Sequence, residues 1–216
     1  MITFFKRFVR LILGLFVFAV GIVFAINANI GYAPWDVFHA GLSKTMGITF
    51  GSASITVGLI IVVLTVALGE RVGLGTLLNM LLIGMFLDLI MAGGWIPIAP
   101  NFFIGLLMMV VAMVIMGIAS ILYIGSGFGA GPRDSLMVAV TRLTKLPVGV
   151  CRGAIEVTAV LAGWMLGGMV GVGTVFTALT IGYFIQKTFK VFRFDPTKVK
   201  HETLIETYKS LTKAIK

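Results

Sequence analysis

Gly31-Tyr32-Ala33-Pro34-Trp35-Asp36 and Gly129-Ala130-Gly131-Pro132-Arg133-Asp134 are two stretches with one pattern of glycine, proline and aspartate, 98 positions apart. The same shift, applied without a gap, aligns further identical residues: Gly51 with Gly149, Gly69 with Gly167, Gly73 with Gly171, Gly75 with Gly173, Thr76 with Thr174 and Gly84 with Gly182. The sequence is therefore interpreted as an internal duplication. Its parts are a first repeat over residues 1–98, a second repeat over 99–194 and a tail over 195–216.

The composition indicates an integral membrane protein of the all-α class. Of the 216 residues, 59% are hydrophobic and 12% are charged, and the mean hydropathy is +1.09. A water-soluble core of this size cannot hide so much apolar surface. The net charge of +9 does not indicate nucleic-acid binding, because most basic residues lie at the N-terminus, in loops and in the tail. The single cysteine, Cys151, excludes an intramolecular disulfide and a cysteine-rich metal site.

Six apolar segments are long enough to cross a bilayer, which takes about 20 residues. They cover residues 8–28, 50–68, 73–91, 102–124, 148–167 and 172–190. The apolar run after Arg10 is interpreted as a retained first helix, not a signal peptide. Basic residues precede the first span and follow the second (Arg71 alone), the fourth and the sixth, so the positive-inside rule predicts a bacterial cytoplasmic membrane protein with both termini inside. Three crossings per repeat would make the repeats inverted, as in many transporters and channels.

Two shorter segments, 34–46 and 132–145, decide this topology. Each opens with a proline at the first helical position and an aspartate two residues later, which would face the positive end of the helix dipole. A helix of this length is about 18 Å long, too short to span. It is either re-entrant, with its start near the midplane, or interfacial. In the interfacial placement Trp35, Phe38, Leu42 and Met46 face lipid and Asp36, His39 and Ser43 face water. If both segments crossed, each repeat would have four crossings and the repeats would be parallel.

Asp36 and Asp134 are the first candidates for a solute or proton pathway. Two carboxylates near the bilayer centre cannot both stay charged cheaply, so they would take up protons or cations. The alternative is that both carboxylates are ordinary helix caps. Arg133 has no counterpart in the first repeat, where Trp35 stands. A guanidinium beside the pathway would favour an anionic substrate.

Three further polar residues are pathway candidates. His39 has no counterpart, since Met137 stands in its place, and a lone histidine is also compatible with a packed or surface position. Asn79 and Asp88 share one flank of the third span, and an aspartate in an apolar helix is a site candidate by default.

A second repeated element is Gly-x-Gly-Thr, formed by Gly73, Gly75 and Thr76 and again by Gly171, Gly173 and Thr174. Its consecutive amides are suited to holding an anion. Its alternative role is structural: a tight turn, a threonine cap and close helix contacts. Together with Gly31, Pro34, Gly129 and Pro132, it completes the repeated motifs.

Two charged features are given structural interpretations. Arg152 and Glu156 stand one helical turn apart in the fifth span and are predicted to pair. The tail is predicted to be a basic amphipathic helix on the cytoplasmic leaflet, in contact with anionic lipid head groups. Its apolar stripe consists of Leu204, Tyr208, Leu211 and Ile215.

With these motifs in a six-span chain, the sequence resembles the YczE/YyaS/YitT family of bacterial integral membrane proteins, most closely its YczE-like branch. The resemblance covers residues from about 8 to 195 and excludes the tail. It implies a cytoplasmic-membrane location and assigns no catalytic residues.

No catalytic motif, metal cluster or phosphate-binding loop stands in the sequence, so neither an enzyme nor a cofactor is expected. The predicted function is a secondary transporter or facilitator of a small charged solute. The alternative is a membrane scaffold or an accessory, substrate-binding subunit that needs a partner. Assembly into a homo-oligomer is compatible with both.

Overall fold

The computed structural model describes the backbone of residues 2–215 and the side chains of residues 4–209. All regular structure in that part of the chain is helical, which confirms the predicted all-α class. The α-helices are α1 Ile2–Asn27, α2 Pro34–Met46, α3 Phe50–Ala67, α4 Leu74–Gly93, α5 Phe102–Ile124, α6 Pro132–Thr144, α7 Val148–Met165, α8 Val172–Val191 and α9 Leu204–Ile215. A short 3-10 helix covers Pro196–Lys198.

Five of the described helices are long and apolar enough to cross a membrane by length and composition, namely α1 from Phe4, α3, α4, α5 and α7. The predicted sixth span, α8, has 20 residues but a more polar sequence that includes Lys187 and Lys190. The first helix begins at Ile2, earlier than the predicted residue 8. Its first turns include the basic residues Lys6, Arg7 and Arg10.

The centre of the molecule is the antiparallel pair α1 and α5. Gly14 lies against Leu122 and Tyr123, and Gly105 lies at the other end of the pair against Ala28. Small residues at such contacts let two backbones approach closely, which is the main source of helix association in lipid. The largest cluster of buried apolar side chains comes mainly from these two helices.

The remaining helices surround this pair in a reciprocal arrangement. Helix α4 packs on α1 and α8 packs on α5, while α3 packs on α4. Each short helix packs on a long helix from the other half of the chain: α2 contacts α7, and α6 contacts α3. The two halves are therefore interlocked, and neither has a core of its own.

The two Gly-x-Gly-Thr motifs carry out this interlocking by backbone contacts. The amide of Gly75 donates to the carbonyl of Phe128 at 2.7 Å, and the amide of Gly173 donates to the carbonyl of Ile30 at 2.8 Å. The two donors stand 98 positions apart, and so do the two acceptors. The same hydrogen bond is therefore formed at equivalent positions of both halves. The threonines Thr76 and Thr174 accept from the amides of Gly73 and Gly171 and so cap α4 and α8.

Gly31 and Gly129 allow this close approach because each adopts a backbone conformation that favours glycine. Their φ angles are 116° and 120°. A Cβ atom on Gly31 would lie 2.6 Å from the backbone nitrogen of Gly171. A side chain at this position would therefore be strained and would also push the halves apart.

The tail departs from the predicted picture of a helix resting only on the bilayer. Helix α9 begins at Leu204, and the segment before it is fastened to the body of the protein. The amide of Glu202 donates to the carbonyl of Gly127 at 2.8 Å, and its carboxylate pairs with Arg7 at 2.6 Å. The side chains of Leu211 and Ile215 lie outside the described residues.

Candidate functional site

An internal cavity of about 220 Å³ lies where α2 and α6 begin. Residues from α1, α3, α4, α5, α7 and α8 complete its wall. The polar and charged side chains that line it belong to Asp36, His39, Ser54, Asn79, Ser120, Tyr123, Arg133, Asp134, Arg152, Glu156 and Thr177. The fold thus brings charged groups from both halves of an apolar chain to one partly open cavity.

Arg133 and Trp35 meet across this cavity. The guanidinium carbon of Arg133 lies 5.0 Å from the centre of a Trp35 ring, within the range of a cation–π interaction. Among the described residues, Arg133 makes no hydrogen bond or ion pair. Its donor groups therefore remain available to a ligand in the cavity.

The two repeated aspartates have different surroundings. Asp134 is exposed to the cavity, and the hydroxyl of Tyr123 donates to it over a long 3.5 Å. Asp36 is buried, with a relative accessibility of 4%. One carboxylate therefore lies on the cavity surface and the other is buried in its wall.

The neighbour of Asp36 is His39, one helical turn later on α2. His39 is 1% accessible, and its ring packs edge-on against Phe50. The Nδ1 atom of His39 and the Oδ1 atom of Asp36 are 3.5 Å apart, and neither atom has a hydrogen-bond partner. Burying unpaired polar atoms is costly, so the pair calls for a physical explanation.

Arg152 and Glu156 pair as predicted, with Nε and Oε1 at 2.8 Å. The pair was predicted to be structural, but both residues line the cavity. A lone Tyr123 in the apolar α5 was missed in the same way. In each case the sequence contained one signal that could have found these residues: a polar side chain within a predicted span.

Of the six predicted pathway residues, the structure brings five to the cavity and leaves Asp88 outside its lining. The carboxylate of Asp88 instead accepts from the amide of Gly51 at 2.7 Å and from the hydroxyl of Thr49 at 2.6 Å. It fastens the end of α4 to the beginning of α3.

The interfacial placement of α2 is contradicted by burial. That alternative required Asp36 and His39 to face water and Trp35 to face lipid. In the structure both polar residues are buried, Trp35 lines the cavity, and α2 lies between α3 and α7.

The cavity and the interlocked glycine motifs lie within residues 5–190, which match the model of a family described as a family of unknown function, DUF6198. The chain belongs to this family. Three relatives of the DUF6198 chain are similar over most of its length. The uncharacterized membrane protein YczE of Bacillus subtilis is 36% identical over 80% of each chain. An uncharacterized protein of Haemophilus influenzae is 31% identical over 84% of this chain and 83% of its own. YyaS of Bacillus subtilis is 23% identical over 81% and 88%.

These relatives confirm the resemblance to the YczE and YyaS proteins. No solved structure matches the chain significantly. Helices of this length and hydropathy, together with a relative named as a membrane protein, support a membrane location for this DUF6198 chain.

Proposed function

We propose that the protein is a secondary transporter or facilitator of a small solute with an anionic group, and that the cavity at the starts of α2 and α6 binds this solute. The observation that carries the proposal is the position of Arg133: it lies in the cavity, stacked on Trp35, without an ion-pair partner among the described residues. Arg133 is half-buried, and a charge held among proposed membrane helices favours a functional reason for it.

The proposed topology places this cavity at the level of the bilayer centre. The long helices α1, α3, α4, α5, α7 and α8 cross the cytoplasmic membrane, both termini are cytoplasmic, and α2 and α6 are re-entrant from opposite sides. The alternation of basic loops along the chain supports this orientation. The meeting of Trp35 with Arg133, which stand 98 positions apart, supports an inverted pair of repeats with its axis through the cavity.

The helix starts themselves contribute to the proposed site. Each begins with proline after a residue that provides no side-chain cap, so first-turn amides at both starts lack intrahelical acceptors. Asp36 and Asp134 already face the positive helix ends in their first turns, so the anionic group of the solute is expected beside the guanidinium of Arg133. A volume of about 220 Å³ lies below the roughly 300–1,000 Å³ of sites for drug-sized ligands, so the solute is small.

The first experiment measures charge movement by the purified protein alone. Proteoliposomes on a solid-supported membrane are exposed in turn to formate, acetate, lactate, sulfate, phosphate and glycine. We expect a current with at least one of these solutes and its loss in Asp36→Asn and Arg133→Gln proteins that elute as the parent does. Arg142→Gln is the matched control, because Arg142 pairs with Glu70 at the surface, away from the cavity lining.

The alternative function predicts a different outcome. An accessory or scaffold subunit would be silent with every solute and would copurify from the native membrane with a second membrane protein. That pair of results would reject autonomous transport and support the accessory role.

A further inference from the structure

We propose that Asp36 and His39 form the proton-binding site of the proposed transporter, distinct from Asp134 and Arg133, which face the solute. This inference rests on the proposed function but is tested without a solute. Its geometric basis is the pair of unpartnered atoms, His39 Nδ1 and Asp36 Oδ1, which are 3.5 Å apart in the wall of the cavity.

The charges around this pair favour uptake of one proton. From α6 the pair faces Arg133 and Asp134, and from α7 it faces Arg152 and Glu156. These four groups sum to zero. An ionised Asp36 beside a neutral histidine therefore leaves the cavity with one uncompensated negative charge, which is costly in a low-dielectric surrounding.

The other packed elements do not supply the missing charge. Helix α3 has no titratable side chain, and α8 presents Thr177, Ile181 and Ile185 to the cavity. The nearby phenols are Tyr32, just before α2, and Tyr123 on α5. The proton comes from cavity water to His39 Nδ1, forms a hydrogen bond to Asp36 Oδ1 and returns to water on release.

Proton uptake links this pair to the solute. With the proton bound, the charged groups of the cavity sum to zero, so a monovalent anion beside Arg133 leaves a net charge of −1 in the cavity instead of −2. The electrostatics therefore favour binding of the anion together with one proton, and a divalent anion such as sulfate that moves with one proton still carries net charge and gives a current. The second repeat lacks this device, because Met137 stands in the place of His39.

The test reads the protonation of one histidine. The chain has two histidines, so His201→Gln leaves His39 as the single reporter. The protein is produced with 15N-histidine and placed in phosphatidylcholine nanodiscs. NMR then follows the ring nitrogens of His39 while the pH is changed. We expect His39 to change protonation state between about pH 5 and pH 8. With Asp36→Asn it should lose its proton at a pH about one unit lower or more, since an opposite charge at this distance has such an effect. Asp134→Asn is the matched control and should shift the midpoint by less than half as much.

Equal shifts in both aspartate variants, or a ring that never changes state, would overturn the inference. If Asp36→Asn does not fold, the parent protein decides: an Nδ1 proton bound to a carboxylate gives a downfield resonance that disappears above the midpoint, and its absence at every pH also rejects the site. If solutes evoke currents but His39 does not titrate, the transport proposal is retained and only the proposed proton site is rejected.

A second inference comes from a different observation, the unequal contacts of α3–α4 and α7–α8. Gly51 and Gly84 pack backbone to backbone, and a Cβ atom on Gly84 would lie 2.6 Å from the Gly51 carbonyl oxygen. The residues 98 positions later, Gly149 and Gly182, have nothing within 4 Å of a built Cβ atom. Helices α3 and α4 pack closely, whereas α7 and α8 make at most marginal contact.

We infer that these two helix pairs are alternating gates and that the structure shows the first closed and the second open. Asp88 fastens the closed gate through Gly51 and Thr49, whereas Gln186, its counterpart, makes no hydrogen bond among the described residues. The cavity wall agrees with this assignment: Val57 on α3 is buried, and Ile155, 98 positions later on α7, is half-buried. Closing α7–α8 through its unused glycines, with opening of α3–α4, gives access from the other side.

The gate is tested by cross-linking in a Cys151→Ser background. Pro147→Cys and Gln186→Cys place thiols at the open gate, and the short cross-linker dibromobimane fluoresces when it bridges them. Asp88→Leu removes the fastening of the closed gate, so we expect bridging at 147 and 186 to become about tenfold faster as the population shifts. Leu89→Ala, at a neighbouring exposed position, is the control and should leave the rate unchanged.

An unchanged rate in the Asp88→Leu protein would overturn the gate. Bridging between two chains instead of within one would also overturn it, because the open α7–α8 face would then be an interface between copies. Thr49→Val, which removes one of the two bonds, is the second variant and should accelerate bridging by a smaller factor. Neither result depends on finding the solute.

Discussion

Arg133 stacks on Trp35 with 5.0 Å between its guanidinium carbon and the indole ring centre, although the two residues occupy equivalent positions 98 apart in the duplicated sequence. One of the two similar stretches carries a cation, and the other carries the aromatic ring against which it lies. The two short helices consequently meet start to start, and the meeting point is also the charged cavity. Structure and proposed function depend on the same contact.

Replacing Arg133 by glutamine should separate function from stability. The residue makes a ring contact but no ion pair among the described residues, so its loss should cost only about 0.5–2 kcal/mol of stability. The solute-evoked current should fall at least about tenfold, because the charge that faces the anion is removed. Thermal unfolding and current are measured on the same preparation. A current that persists with an unchanged amplitude would show that Arg133 is not at the site.

The glycines of the interlocked motifs should tolerate alanine very differently from glycines at open positions. A Cβ atom on Gly173 would lie 2.7 Å from the Gly31 carbonyl oxygen, so Gly173→Ala should destabilise the protein by about 1–3 kcal/mol. Gly182→Ala meets no atom within 4 Å and should stay within about 1 kcal/mol of the parent. Thermal unfolding in detergent measures both. Similar melting temperatures for the two variants would contradict the close approach.

Accessibility of single cysteines should distinguish three crossings per half from four. In a Cys151→Ser background, cysteines replace Gly47, Arg71 and Trp95 one at a time, all at exposed positions. A membrane-impermeant maleimide on intact cells should label positions 47 and 95, and position 71 only after permeabilisation. The parallel arrangement with four crossings would reverse all three results.

The tail should loosen when its ion pair to the body is removed. Arg7 donates to the carboxylate of Glu202 at 2.6 Å and to the carbonyl of Ser126 at 2.8 Å. Arg7→Gln should therefore expose the bond after Lys200 and speed trypsin cleavage there by about fivefold, in line with the roughly 1 kcal/mol of a partly exposed ion pair. Lys6→Gln removes a neighbouring exposed charge and is the control. Equal cleavage rates would show that the tail is held by its backbone bonds alone.

The sequence by itself determined the helices, and it did so because their signals are local. Hydropathy marks five of the long helices, and proline marks the starts of α2 and α6. The predicted short segments 34–46 and 132–145 correspond to Pro34–Met46 and Pro132–Thr144. The similarity between the two halves, at a shift of 98 positions, can likewise be found from the order of the residues alone. Asp36, Asp134 and Arg133 could be selected because charged side chains are rare in apolar segments.

Only the tertiary structure decided what those residues touch, because each contact depends on a neighbour far along the chain. Asp36 and Asp134 have the same sequence context, yet one is buried beside His39 and the other faces the cavity near Tyr123. Asp88 was predicted to lie on the pathway and instead fastens α4 to Thr49, since the crossing of α3 and α4 brings its carboxylate to that helix start. The composition and spacing of the sequence show which chemistry a residue is capable of. Its burial and its contacts arise from the packing of separate helices, and they decide which role it has.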